Sequence, residues 1–453
     1  MKPNILFLII DSFRSDKFYG NDTSSQTPNI DDLVENGIFF PNNISAADGT
    51  ILSLASMFTS LEPPKTGVKS EHYVKLDSDI INYFNLLKQE GFHAYATVPK
   101  IVSTLGILNM FENLDKTYDH FQSLSNGLGK KIIDQLNQKS MEEPWIYYVH
   151  INDIHFPIIP PKEFDKVEFG GSKYERMVSS IDPWLGKIIK NIDLKNTLVA
   201  ITADHGSNIP TIKLDDEWIS FETDGSRQKF ITKVGNKVPT ILEPVKSKSF
   251  FVIQKIRKKM KHKKVNNLKL TPYQQRSLFS QRGDPDHFLY DEKIKVPFLL
   301  IGAGINKKQI INFQVRTIDI FPTIFDVLGL KATHNVDGRS LLPLINGELI
   351  DELPSLILSS PLIEITSNDV IGLRTSEYKY FRDMHDSSKR IHLFDLKNDP
   401  LEEKNIFKQL PEIIQKFEKI LQQKLSDSKQ YNSEYSEEEL KDVEKELKRM
   451  GYI

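Results

Sequence analysis

The chain has 453 residues, 59 Lys and Arg against 61 Asp and Glu, a net charge of −2 and no cysteine. That length exceeds one ordinary hydrophobic core and calls for a large domain with a smaller one attached. The balanced charge excludes a globally basic nucleic-acid binder. The missing cysteines exclude disulfides, thiolate metal sites and cysteine nucleophiles.

The opening "NILFLII" reads as a buried parallel strand. It is too short for a secretory leader and ends on Asp11 with no small-residue cleavage site after it. No later stretch is long enough to cross a bilayer, so a cytoplasmic location is expected. "NIDDLVENG" follows as a helix stopped by Gly37. "AADGTILSLASMFTS" is a loop running into a buried helix, with Thr50 where the loop ends. A hydroxyl there serves as an N-cap, or as a nucleophile facing an anionic ester held at the helix N-terminus. "SDIINYFNLLKQEG" reads as a helix capped by Ser78, and "FHAYATV" as the next strand. "PWIYYVHIN" and "NTLVAITAD" are further strands, separated by the amphipathic "YERMVSSIDPWLGKIIKNI".

Residues 246–269 carry many Lys and Arg and no acid, beside the apolar "FFVIQKI". The segment is either a solvated insertion or an arm for an anionic membrane surface or polyanionic substrate. "VPFLLIG" is a later strand and "DIFPTIFDVLG" a later helix. Strands alternating with helices predict an α/β fold whose large, mostly parallel sheet is flanked by helices. It occupies residues 1–350, with a basic insertion at about 208–284. From about residue 351, "SLILSSP", "DVIGLRT", "YKYFRD" and "RIHLFDL" predict a small antiparallel sheet, covered by the helix "PEIIQKFEKILQQKL". A charged terminal helix follows, with Ser436 and Glu439 as a capping box.

Ligands of an open parallel sheet bind at the carboxyl ends of its strands. "FLIID" brings Asp11 to such an end, and "VAITADHG" brings Asp204 and His205 to another. Two carboxylates and an imidazole suit Zn²⁺, Mn²⁺, Mg²⁺ or Ca²⁺. Each residue also has a local account: a cap, a turn former, a satisfied loop histidine. Arg14 is a candidate contact for an anionic substrate, with a salt bridge to Asp16 as its competing role. His150 reads as structural.

With these residues in place the chain resembles the sulfatase family of the alkaline phosphatase superfamily. The resemblance runs in order through "PNILFLIIDSFRSD", "TPNIDDLVENGIFFPN", "SMFTSLEPPKTGV", "VHINDIHFPIIPP", "ITADHGS", "LYDEKIKVPFLLIGAGI", "TIDIFPTIFDVLGL" and "VDGRSLLPLINGE", then through "HLFDLKNDPLEEKNI". It implies that Asp11, Asp204 and His205 bind metal and that His155 contacts substrate. It further implies that His287 lies near the leaving group.

The departures carry information too. Family members oxidise the first residue of a Cys/Ser-x-Pro-x-Arg motif to formylglycine. Here Thr50 stands at that position, with Leu52 and Leu54 in place of Pro and Arg. Threonine cannot become formylglycine. Threonine as metal-bound nucleophile is instead the pattern of the superfamily's phosphotransfer branches, and Ser12 stands where a second acidic ligand is often found. The expected function is therefore metal-dependent hydrolysis of a phosphate or sulfate ester through a covalent Thr50 ester. Alternatives are transfer of phosphoglycerol or phosphoethanolamine to a glycan or lipid acceptor, and non-catalytic binding of an anionic polymer.

Overall fold

β1 (Asn4–Ile10) is buried at all seven positions, as a parallel strand covered on both faces must be. The computed structural model describes residues 2–68, 75–77, 79–137, 141–222, 265, 267–280, 289–330, 335–359, 369–426 and 441. Around β1 are β2 (Ile38–Ile44), β3 (His93–Pro99), β4 (Thr117–Tyr118), β5 (Trp145–Ile151) and β6 (Thr197–Thr202). A hairpin, β7 (Thr211–Leu214) and β8 (Glu217–Ser220), stands apart from them. β9 (Lys295–Gly302), β10 (Gln309–Ile310) and β11 (Val315–Arg316) complete a sheet of order β10-β2-β9-β6-β1-β5-β3-β4, with β11 also on β2. Among its described strands β9 alone runs against the rest. The mostly parallel α/β sheet expected from the alternation of strands and helices is present.

Alternation along β1 sorts the two cores. Ile5, Phe7 and Ile9 face helices Thr50–Thr59, Tyr83–Gln89 and Ile320–Val327. Leu6, Leu8 and Ile10 face helices Pro28–Glu35, Leu128–Leu136 and Lys173–Lys190. Thr50–Thr59 is buried at every residue but Ile51, because it is apolar around most of its circumference. Phe58 anchors it, with ring centroids 5.0 Å from Phe84, 5.3 Å from Tyr148, 6.1 Å from Phe321 and 6.4 Å from Phe7.

Two helix boundaries differ from expectation. The first helix ends at Glu35 with Asn36 as its cap. Gly37 is needed for another reason: a Cβ there would lie 2.7 Å from the Leu300 carbonyl oxygen of β9. The third begins only at Tyr83, because the Asn82 side chain accepts the Asn85 N–H and outcompetes an earlier start. Ser78, residues 246–264 and 266, and the Ser436–Glu439 capping box lie outside the described residues. No described helix is long and apolar enough to cross a membrane.

β12 (Ser355–Ser359), β13 (Val370–Arg374), β14 (Tyr378–Asp383) and β15 (His392–Asp395) form the small antiparallel sheet. Helix Pro411–Ser426 covers it through Phe417 and Leu421, which share a core with Phe7 and Ile9. A buried ionic cluster ties this sheet to the turn before β9. Lys379, fully buried on β14, donates to Asp291 Oδ1 at 2.7 Å and to the Leu289 carbonyl at 2.8 Å. It also pairs with Glu402, and Arg374 meets Asp291 Oδ2 at 2.7 Å. Burial favours the neutral acid at Asp291, but these two cations outweigh it and hold its carboxyl well below the usual range.

β4 and the segment after it brace the end of β5. Tyr118 donates its hydroxyl to the His150 carbonyl at 2.6 Å, and Asn152 Nδ2 lies 3.0 Å from His120 Nδ1. Asp153 accepts the Leu124 N–H at 3.0 Å, and burial pushes its carboxyl up to about 7.

Two tests follow from this packing. Phe58→Ala should lower unfolding free energy by about 3–5 kcal/mol in urea titrations; a loss below 1 kcal/mol would contradict its anchoring role. Asp153 has a folded pKa above its ordinary 3.8, so the stability it contributes is full below about 4 and declines as pH rises to about 7. Asp153→Asn should remove that decline, worth about 3–4 kcal/mol between pH 4 and 8. Parallel stability curves for the two proteins would refute the assignment.

Candidate active site and metal centre

β1 lies between β5 and β6, with Ile9 level with His150 on one side and Thr202 on the other. Asp11, the end of β5 and Asp204 therefore emerge together at the carboxyl edge of the sheet. Asp11 extends the ladder by one bond, its N–H donating to the Ile151 carbonyl at 2.8 Å. Ser12 then turns into the left-handed region at φ +65°. The turn brings its N–H to Asp204 Oδ1 at 3.1 Å, while its hydroxyl donates to Asp11 Oδ1 at 2.7 Å.

Asp204 Oδ1 also accepts the His205 N–H at 2.9 Å. Its other oxygen, Oδ2, is buried without a hydrogen-bond partner, 3.6 Å from His205 Nε2. His205 Nδ1 lies 2.7 Å from the Gly206 carbonyl; as donor there it leaves Nε2 toward the carboxylates. Gly206 itself is required by crowding, because a Cβ would sit 2.3 Å from the Glu292 carbonyl oxygen. One ligand atom each from Asp11, Asp204 and His205 lies within 4.8 Å of the others, all three residues buried. Oxygen and imidazole donors converging beside an unpartnered buried carboxylate oxygen fit a divalent cation.

The charges agree with that grouping. Burial works to raise the Asp11 pKa, but His155, the His150 hydrogen bond and His205 hold it well below the carboxylate range. Burial opposes the cation on His205, yet Asp204, Asp11 and the Gly206 carbonyl leave its pKa raised.

Thr50 is the first residue of its helix, and Gly49 is the N-cap. The capping role expected for Thr50 is therefore wrong: its side chain makes no cap bond. Instead Oγ1 lies 3.4 Å from Asp11 Oδ2 and 3.3 Å from His205 Nε2. The preceding loop is fixed by Ser45, whose hydroxyl bonds the carbonyls of Ala47 and Asp204.

His155 reaches the same region. It acts on Asp11 through its charge, and its ring centroid stands 5.1 Å from that of His120. His287 lies outside the described residues. Arg14 goes to its competing role. Its Nε and Nη2 bond Asp16 at 2.8 and 2.7 Å, Nη2 reaches Tyr273 at 3.3 Å, and only 5% of the residue is exposed.

His150, expected as a structural residue, lies close to the site. It is fully buried, yet its Nε2 is 3.3 Å from Asp11 Oδ2. The available signal was its place two residues before Asn152, at the end of a central strand beside β1. Asp48 stands in the loop just before the Thr50 helix. It is half-buried, accepts the Ser359 hydroxyl at 2.9 Å, and is raised by burial against the opposing charges of Lys293 and His205.

The family profile "Sulfatase" matches residues 3–330, and "N-sulphoglucosamine sulphohydrolase, C-terminal" matches residues 283–431. Arylsulfatase K of Gallus gallus is 34% identical over 139 residues, which cover 29% of this chain and 26% of that one. Arylsulfatase K of Homo sapiens is 34% identical over 131 residues, covering 28% and 24%. The chain thus matches about a quarter of the length of these curated relatives.

Two solved structures extend the likeness of fold over nearly the whole chain. The phosphonate monoester hydrolase of Agrobacterium radiobacter has a TM-score of 0.64 at 14% identity, covering 94% of this chain and 96% of that one. A 2-O GAG sulfatase has a TM-score of 0.63 at 19% identity, covering 94% and 93%. With its strand-end Asp11, its Asp204–His205 pair and a profile match over most of its length, the chain belongs to the sulfatase family.

Proposed function

We propose that the chain hydrolyses an anionic ester, phosphate or sulfate, with Asp11, Asp204 and His205 holding a divalent cation and Thr50 as nucleophile. The observation that carries this reading is the position of Thr50 Oγ1, between Asp11 Oδ2 and His205 Nε2 at the start of a buried helix. When bound, a divalent cation supplies Lewis acidity, lowering the pKa of a nearby hydroxyl and neutralising charge on ester oxygens.

The chain's own groups do the rest. Thr50 gives up its hydroxyl proton to water, Asp11 and His205 keeping their lone pairs for the cation, and Oγ1 forms a bond to phosphorus or sulfur. The ester bond breaks with its electron pair on the leaving alcohol, which takes up a proton from His155. Ile51 and Leu52 follow Thr50 in the first turn of the helix, where backbone N–H groups lack intrahelical acceptors and suit the equatorial oxygens. Water then cleaves the Thr50 ester, releasing the inorganic anion and restoring the hydroxyl.

Sulfate is favoured by the family, by the arylsulfatase relatives and by the 2-O GAG sulfatase fold. Phosphate is favoured by Thr50, which lacks the hemiacetal exit that formylglycine gives a sulfated enzyme.

The test is turnover of 4-nitrophenyl phosphate, a phosphodiester and 4-nitrophenyl sulfate by metal-stripped protein resupplied with Zn²⁺, Mn²⁺, Mg²⁺ or Ca²⁺. Turnover should require the metal and fall at least about a thousandfold in Thr50→Ala, with Thr50→Ser keeping part of it. Activity that survives Thr50→Ala would remove Thr50 from the chemistry. A saturating metal, at about 100 times its Kd, should also stabilise the fold by about 2.7 kcal/mol. Asp204→Asn should abolish that gain in thermal melts; an unchanged gain would place the ion elsewhere.

A further inference from the structure

We infer that His150 is a positioning residue that fixes the carboxylate of Asp11 in its ligating orientation, an inference resting on the reading of Asp11 as a metal ligand. His150 sits on β5 with no exposed surface, and both of its ring nitrogens have a polar neighbour. Nε2 is 3.3 Å from Asp11 Oδ2, and Nδ1 is 2.9 Å from the Tyr148 hydroxyl.

Chemistry decides the direction of both bonds. An ionised carboxylate only accepts, so Nε2 carries the hydrogen toward Asp11. Nδ1 is the hydrogen-bond partner of the buried Tyr148 hydroxyl and accepts its O–H, which burial keeps protonated by raising its pKa well above the ordinary value. Tyr148 thereby selects the tautomer that Asp11 needs. The backbone is held as well, since Tyr118 donates to the His150 carbonyl at 2.6 Å.

The two oxygens of Asp11 are then assigned separately. Oδ1 is held by the Ser12 hydroxyl at 2.7 Å, and Oδ2 by His150 on one side with Thr50 at 3.4 Å on the other. A donor on each oxygen fixes the rotation of the carboxylate about its Cβ–Cγ bond and leaves lone pairs toward Asp204 and His205. His150 lies outside the group of ligand atoms formed by Asp11, Asp204 and His205, so it acts through Asp11.

The experiment is isothermal titration of metal-stripped protein with Mn²⁺, comparing the parent with His150→Gln, His150→Leu and Tyr148→Phe. Circular dichroism checks each fold. Glutamine keeps an N–H donor at similar reach; leucine fills space without one. His150→Leu should weaken Mn²⁺ binding about 10–100-fold, His150→Gln should stay within about threefold of the parent, and Tyr148→Phe should fall between them. A folded His150→Leu protein that binds as tightly as the parent overturns the inference. So does a glutamine variant as weak as the leucine one, which would reduce the role of His150 to shape. If His150→Leu fails to fold, Tyr148→Phe decides, and parental affinity there overturns the inference. A parent that binds no Mn²⁺, Mg²⁺, Ca²⁺ or Zn²⁺ removes the metal reading of Asp11 and this inference with it.

Discussion

Two carboxylates and several imidazoles meet in a space closed to solvent, and that juxtaposition constrains everything around it. Asp11 and Asp204 are 1% and 0% exposed and share the Ser12 turn, whose N–H serves one carboxylate and whose hydroxyl serves the other. Like charges desolvated side by side are tolerated only with compensating positive charge or donors. Protein donors occupy the Oδ1 atoms, while Oδ2 of Asp204 is left without one. The arrangement makes sense as a cradle whose remaining valence is filled from outside.

Precision in such a cradle depends on rigid supports. Thr50 stands on a helix locked into the aromatic core through Phe58, so its hydroxyl is placed by packing. His155 follows a strand end that Tyr118, His120 and Leu124 brace from one side. Arg14 is held in a fork-to-fork pair with Asp16.

The fold was largely legible because buried parallel strands announce themselves as unbroken apolar runs, and β1, β5 and β6 sit close to where those runs lie. Asp11, Asp204 and His205 were legible for a related reason: each directly follows or closes such a run. Two kinds of information were hidden. Register across the sheet is non-local, so nothing in "YYVHIN" alone reveals that His150 lies level with Ile9 and reaches Asp11. Competition between equally good local partners is also invisible, as when Gly49 rather than Thr50 caps a helix, or Asn82 starts one that Ser78 seemed to begin. Arg14 illustrates the converse, since Asp16 two positions on already supplied its answer.

The ionic cluster of Arg374, Lys379, Asp291 and Glu402 bears on which parts of the chain depend on one another. Its members are drawn from the turn before β9, the small antiparallel sheet and the stretch that follows that sheet. Removing one side of this cluster would strand a buried ion without its counter-ion, a far heavier penalty than a change in an exposed loop. The second family profile spans 283–431, straddling the boundary between the large sheet and the small one. Electrostatics thus joins the turn before β9, the small sheet and the stretch after it into one unit across that boundary.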